Sequence, residues 1–230
     1  MIEVSNEFIT QISHPGKIKD AYISYAGKEV RPQKIKTSFS GSLFQSIMKK
    51  LELEIKDNEN IIDKEVEAKY GLYINNTFEY INYGTFKVTE CESILKQNKI
   101  KAIAYDNMVK FMIKYNLAEL NLKFPCSILE LSQAICNYIG VPLYSEYFYN
   151  SDLVIDSDIF TELNCTYRDI IDYICQATCT TAIIKDDKLY FKSIENTGIT
   201  IGPNILKTLT IKSKFGPCNS LVLGRRRTKR

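Results

Sequence analysis

His14 is the only histidine of the chain, and beside a cysteine a histidine can serve as the base of a nucleophilic pair. It stands next to Pro15 and Gly16 in a turn pattern, with no third group in view to orient it. It reads as a loop histidine. Cys175 and Cys179 lie four apart in a helical pattern and can face one metal. Zinc takes three or four ligands, however, and no CxxC or HxxxH completes the set. They read as buried or half-buried thiols. Asp152, Asp156 and Asp158 form an acidic cluster of the kind that holds calcium, but without the glycine and terminal glutamate of an EF-hand loop. A solvated loop is the simpler reading. Glu65 and Glu67 resemble a carboxylate pair, yet in an alternating strand both face solvent opposite Val66 and Ala68. A glycosidase needs its two carboxylates opposed across a cleft.

Two charged features have a different character. Arg225, Arg226, Arg227, Lys229 and Arg230 make one basic run, suited to touching phosphates as an arm or to lining a channel through which DNA passes. No aromatic residue is interleaved for base stacking, so a solvated tail is the plainer reading. Arg168, with Asp169 beside it, is a candidate interface residue that can pair with a carboxylate between domains or subunits. An exposed arginine at a helix start fits equally well. No catalytic, cofactor-binding or metal-binding residue is assigned, and no cofactor is expected.

The elements that would position these groups are set by periodicity. Leu51, Leu53 and Ile55 alternate with Lys50, Glu52, Glu54 and Lys56, giving one apolar and one charged strand face. Ala21-Ile23-Tyr25, Val66-Ala68-Tyr70, Gly84-Phe86-Val88 and Ile100-Ala102 alternate in the same way, so the chain up to about Ala104 reads as strands. Ser40 to Lys50 reads as a short helix or a crossover. The middle third changes period. Asp106 is placed to cap a helix carrying Met108, Val109, Met112 and Ile113. Ser127 to Glu130 fits a capping box, with Leu131, Ile135 and Tyr138 on one face until Gly140 and Pro142. Thr166 to Asp169 begins another helix, with Ile170, Ile171, Ile174 and Ala177 as its buried stripe. Residues 182–191 read as a hairpin turning at Asp186-Asp187. Leu209–Ile211 and Leu221–Leu223 return to strands.

Hydrophobic residues make up 45% of the chain and charged residues 25%, ordinary for a folded protein. Fifteen Tyr and eleven Phe without any Trp suit half-wet strand faces. A net charge of +3 supplies no body-wide field for nucleic acid. No apolar run approaches the ~18 residues of a membrane span, and the acidic start from Met1 to Glu7 is unlike a signal peptide. Seven scattered cysteines argue for reduced thiols in a cytosol.

Several motifs occur in a fixed order: Tyr83-Gly84-Thr85-Phe86-Lys87-Val88, Ala104-Tyr105-Asp106-Asn107-Met108, Phe124 to Leu131, and Cys165 to Gln176. Ala182-Ile183-Ile184 with Asp187 to Phe191, and Asn219 to Arg225, complete the series. In this order and spacing they resemble the N-terminal portion of bacteriophage and prophage tail hub proteins, the tail-associated lysin or prophage endopeptidase tail family. The resemblance implies an α+β chain. Residues 1–104 would form a tube-like β-barrel or sandwich, residues 105–203 a mixed α/β domain, and residues 204–230 the opening strands of a second, incomplete barrel with a basic tail.

It further implies a homotrimer, a structural ring that closes the tail tube as a baseplate hub and anchors tip proteins. The partners would be a distal tail or tube protein, the tape-measure protein, and tip or spike proteins. The chain would be made in the bacterial cytoplasm and reside at the virion tail tip, with nucleic acid met only in passage through a channel. The family's catalytic segments lie beyond the matched region, so the chain is expected not to be an enzyme. A peptidoglycan-degrading tail enzyme and a nucleic-acid or carbohydrate-binding module are the alternatives.

Overall fold

The computed structural model describes residues 4–14, 16–57, 59–94, 97–144 and 147–193. These belong to one compact unit, Met1–Ile194, while a second unit, Glu195–Arg230, lies outside the described residues. The strands expected after residue 203 and the basic run Arg225–Arg230 fall in that second unit.

Strands are expected throughout the first hundred residues, but the chain begins with a helix, α1 (Asn6–Ile12). The Ser5 hydroxyl caps it by accepting the Phe8 N–H, and the Glu79 carboxylate accepts from both the N–H and the hydroxyl of Ser5 at 2.8 and 2.6 Å. Phe8 is its only buried side chain. Seven residues with one inward position leave no period to read.

Next come seven strands: β1 (Lys19–Tyr25), β2 (Lys28–Val30), β3 (Lys34–Ser40), β4 (Met48–Ile55), β5 (Glu65–Ile74), β6 (Thr77–Ile94) and β7 (Lys99–Asp106). They form one antiparallel sheet in the order β2-β1-β5-β6-β7-β4-β3. The period-two residues meet on one side of it. Ile23, Tyr25, Leu51, Leu53, Ile55, Val66, Ala68, Phe86, Val88, Ile100, Ala102 and Ala104 join a single buried cluster. Residues 41–47 are neither helix nor crossover, because they link β3 to its sheet neighbour β4 as a wide hairpin loop.

Gly84 has a specific task in this sheet. Its φ is +118°, a region L side chains avoid, and it adjoins the point where the β5–β6 register shifts, between Ala68 and Lys69. The bulge reverses the facing of β6. Phe86 and Val88 point to the core on one side of it, whereas Phe78 and Tyr80 pair with the outward positions Tyr73 and Gly71 on the other.

The sheet is rolled. Only three residues, Arg31 to Gln33, connect β2 to β3, a span of at most about 14 Å. Yet these are the two edge strands, which a flat sheet of seven strands holds about 29 Å apart. Curvature must bring the edges together. Among the described residues no ladder joins β2 to β3, so the sheet is an open roll rather than a closed barrel.

Past β7 the chain builds a second cluster. Asp106 does cap the adjoining turn, accepting the Met108 N–H at 3.2 Å, but the segment Asn107–Met112 is a 3-10 helix and not an α-helix. A period of three puts Met108 and Phe111 inside and leaves Met112 and Ile113 exposed. Then come β8 (Cys126–Ser127), α2 (Ile128–Ile139), β9 (Val154–Ile155), α3 (Phe160–Leu163), α4 (Tyr167–Thr178), β10 (Thr180–Lys185) and β11 (Lys188–Ser193). Both capping boxes are present, Ser127 with Glu130 and Thr166 with Asp169. Ala177 is exposed, and Cys175 and Thr178 take its place on the buried face of α4. The β10–β11 turn puts Asp186 and Asp187 at φ 48° and 57°, as a two-residue hairpin of the primed type requires. With helices and strands largely segregated along the chain rather than alternating, the unit is an α+β fold.

Candidate functional site

The residues that could do chemistry are scattered. His14 is exposed and accepts the Gly16 N–H on Nδ1 at 3.2 Å. Cys175 is buried, whereas Cys179 is exposed as the left-handed cap of α4, so the pair does not share a face. Asp158 serves the start of α3, accepting the Phe160 N–H at 2.9 Å and the Tyr115 hydroxyl at 3.3 Å, while Asp152 and Asp156 are exposed. Glu65 pairs with Lys110 at 3.7 Å and Glu67 accepts from Asn82 at 2.9 Å, with Val66 and Ala68 buried opposite. Burial pushes the thiols of Cys136 and Cys175 up to about 12, far from a reactive thiolate.

Polar chemistry instead gathers where the sheet meets the helices. Ser46, fully buried in the β3–β4 loop, is gripped by α4 from two successive turns. Arg168 donates from Nε to the Ser46 hydroxyl at 3.0 Å and from a terminal nitrogen to its carbonyl at 3.4 Å; the Asp172 carboxylate accepts the Ser46 N–H at 2.6 Å. The spacing of four aligns both side chains on one helix face. Ala182 of β10 continues the grip, accepting the Ile47 N–H at 2.8 Å. Asp169, by contrast, is exposed and spends its carboxylate on the Thr166 cap. A second tie comes from the hairpin tip. Asp187 accepts from Asn107 at 3.0 Å and from the Thr85 hydroxyl of β6 at 3.1 Å.

Asp106 sits at the same joint and is 2% exposed. One carboxylate oxygen takes the Met108 N–H; the other, Oδ2, has no hydrogen-bond partner. Burial raises its pKa to about 6. The Lys49 and Met108 N–H groups and the Lys49 and Arg168 cations pull the other way without offsetting that penalty. The Lys49 N–H exerts its pull without satisfying Oδ2.

The outer face of the sheet alternates in sign from strand to strand. Lys34 and Lys36 of β3 face Glu54 and Glu52 of β4 at 4.0 and 3.9 Å, Lys50 meets Glu52 at 2.8 Å, and Lys99 of β7 pairs with Glu54. The hydrogen bonds from Lys50 and Lys99 hold the Glu52 and Glu54 carboxyls below their usual range. A shallow cleft of about 470 Å³ lies there, lined by Glu52, Glu54, Glu90, Glu92, Lys34 and Lys101. At the free edge of β3, Phe39 is 66% exposed, and Leu43 of the adjoining loop is 63% exposed.

Arg168 is a candidate on sequence grounds, but its partners Ser46 and Asp172, and the pair Asp187 and Asn107, are not. A turn at Asp186-Asp187 is readable. Its docking partner 80 positions away is not.

No protein-family model matches the sequence, and no curated protein matches it. Solved structures do. The 43 kDa tail protein of prophage MuSo2 from Shewanella oneidensis superposes with a TM-score of 0.51 at 10% identity, covering 80% of this chain and 56% of that one. The tail protein from Neisseria meningitidis MC58 superposes with 0.51 at 11% identity, covering 75% and 50%. The chain thus spans about half the length of these structures. At such identities the likeness is one of fold, and the fold is that of prophage tail proteins, as the order of sequence motifs suggested.

Proposed function

We propose that this chain is a structural subunit of a phage or phage-like tail, at the hub or tip, where copies join in a threefold ring that ends the tail tube. The observation that carries the reading is the fold shared with two prophage tail proteins. The rolled sheet supports it. Its edges β2 and β3 each keep one side unpaired among the described residues, and such edges invite strand pairing with another chain. A cyclic ring needs two different complementary surfaces on each subunit, and the alternating Lys and Glu columns suit that role by favouring one register over others. In this reading Arg168 and Asp172 set the angle between the sheet wall and the helical layer that holds neighbouring tip proteins. The role is mechanical rather than catalytic.

Negative-stain microscopy and sedimentation of the purified full chain test this, alone and mixed with the neighbouring tube protein. Threefold rings are the expected result. A monomer at all concentrations, together with absence from purified tails, would refute the assembly. Clearing of cell walls in a zymogram would refute the non-catalytic assignment.

A further inference from the structure

The outer face of β1, β5 and β6 carries a continuous row of aromatic rings. Tyr22, Tyr80, Phe78 and Tyr73 succeed one another with centroids 4.9, 5.8 and 5.2 Å apart. The middle two, Tyr80 and Phe78, are tilted by only 31°, whereas Tyr22 and Tyr73 stand at 70° and 63° to their neighbours. Two rings make a floor and two make end walls. The floor is held in place from beneath, since a Cβ at Gly71 would lie 2.6 Å from the Tyr80 ring. It is held from the side by the Tyr80 hydroxyl, which donates to Asp20 at 2.7 Å. None of the four rings is buried, and the row keeps a wet side.

The polar groups beside the row are balanced in charge. Arg31 pairs with Asp20 at 3.1 Å, and Lys69, its ammonium 5.4 Å from the Tyr22 centroid, pairs with Glu67 at 3.7 Å. A single-stranded nucleic acid needs stacking rings inside a net cationic groove, and this rim offers no net cation. Two adjacent rings tilted by 31° to each other, a neutral rim and exposed donors and acceptors match a chain of rings with flat apolar faces and hydroxylated edges. We propose that this trough binds a neutral glycan, with successive sugars stacked on Tyr80 and Phe78 and their hydroxyls bonded to Asp20, Arg31 and Lys69. Glycan binding of this kind is independent of assembly into a tail. Cross-strand aromatic pairs also stabilise hairpins without any ligand, so the test must separate binding from folding.

The full chain is titrated with cellohexaose and, separately, with N-acetylchitohexaose, by calorimetry and by tyrosine fluorescence, which no Trp obscures. Saturable binding of at least one sugar is expected. Phe78→Leu should weaken it about tenfold or more, the loss of one stacked ring, with Tyr73→Leu as a second ring variant should that protein fail to fold. Arg31→Ala, at a side chain 76% exposed, should weaken binding several-fold with an unchanged melting curve. The proposal is overturned by absence of binding to both sugars at millimolar concentration, or by equal affinity in the folded variants. Saturable binding of a thymidine oligonucleotide with the sugars inert overturns it as well.

Discussion

Replacing Asp106 by asparagine isolates one buried charge. In the folded chain the carboxyl titrates near 6, against an ordinary 3.8. The native state therefore holds a proton that the unfolded chain has already released. The stabilisation from this group is complete below the unfolded value and is lost as pH rises through about 6. The difference of about two units corresponds to about 3 kcal/mol over the full range, of which about 2 kcal/mol falls between pH 4.5 and 7.5. The amide of Asp106→Asn keeps an oxygen for the Met108 N–H and removes the charge. Urea unfolding of both proteins at the two pH values, at constant ionic strength, gives a double difference from which other titrating groups cancel. The variant should gain about 2 kcal/mol on the wild type in going from pH 4.5 to 7.5. A stability difference that is the same at both pH values would show that Asp106 ionises normally and that the orphaned oxygen is satisfied in solution.

Arg168→Ala strips the Ser46 hydroxyl of its donor and should cost about 1–2 kcal/mol by urea unfolding. It also removes one of the cations that favour Asp106 ionisation, so the pH inflection should move upward; an inflection that stays in place contradicts the coupling of Arg168 to Asp106. Gly41→Ala would set a Cβ 2.7 Å from the Ser46 carbonyl at a φ of +151°, and a loss of about 2 kcal/mol or more is expected from the clash and the backbone strain. Alkylation of the native chain at pH 8, read by mass spectrometry, should label the exposed Cys179 well before Cys136 and Cys175, whose thiols burial raises to about 12. Equal rates would mean that the helical layer opens readily.

Legibility in the sequence depended on how local each signal was. Alternation in β4, β5 and β7 and the two capping boxes were legible because each is written within four to ten neighbouring residues, and all are present. The strand β3 gave a weaker signal, because Ile35, Thr37 and Phe39 alternate but only Ile35 packs against the core, the rest of this edge strand staying wet. The 3-10 helix after Asp106 reads as an α-helix because Met108, Val109, Met112 and Ile113 happen to fall at helical intervals. Phe111, outside that set, packs inward beside Met108, while Met112 and Ile113 stay exposed. The joint itself was closed to sequence reading. Ser46 and Asp172 are 126 positions apart, and nothing local marks a serine in a loop as the hold for a helix. The burial that shifts Asp106 is likewise a property of its neighbours from β4 and α4, not of its own segment.

The strand order also dictates when this protein can be finished on the ribosome. β1 finds its long partner only in β5, and β4 is flanked on its inner side by β7, which emerges some fifty residues later. Until β7 has been made, the nascent chain holds two separate pieces, the four-stranded β2-β1-β5-β6 and the ribbon β3-β4, with Leu51, Leu53, Val66 and Phe86 bared to water. Pairings that close long loops form slowly and expose such ribbons to sticking. Slowed translation just before residue 100 would therefore be the most hazardous pause in the life of this chain.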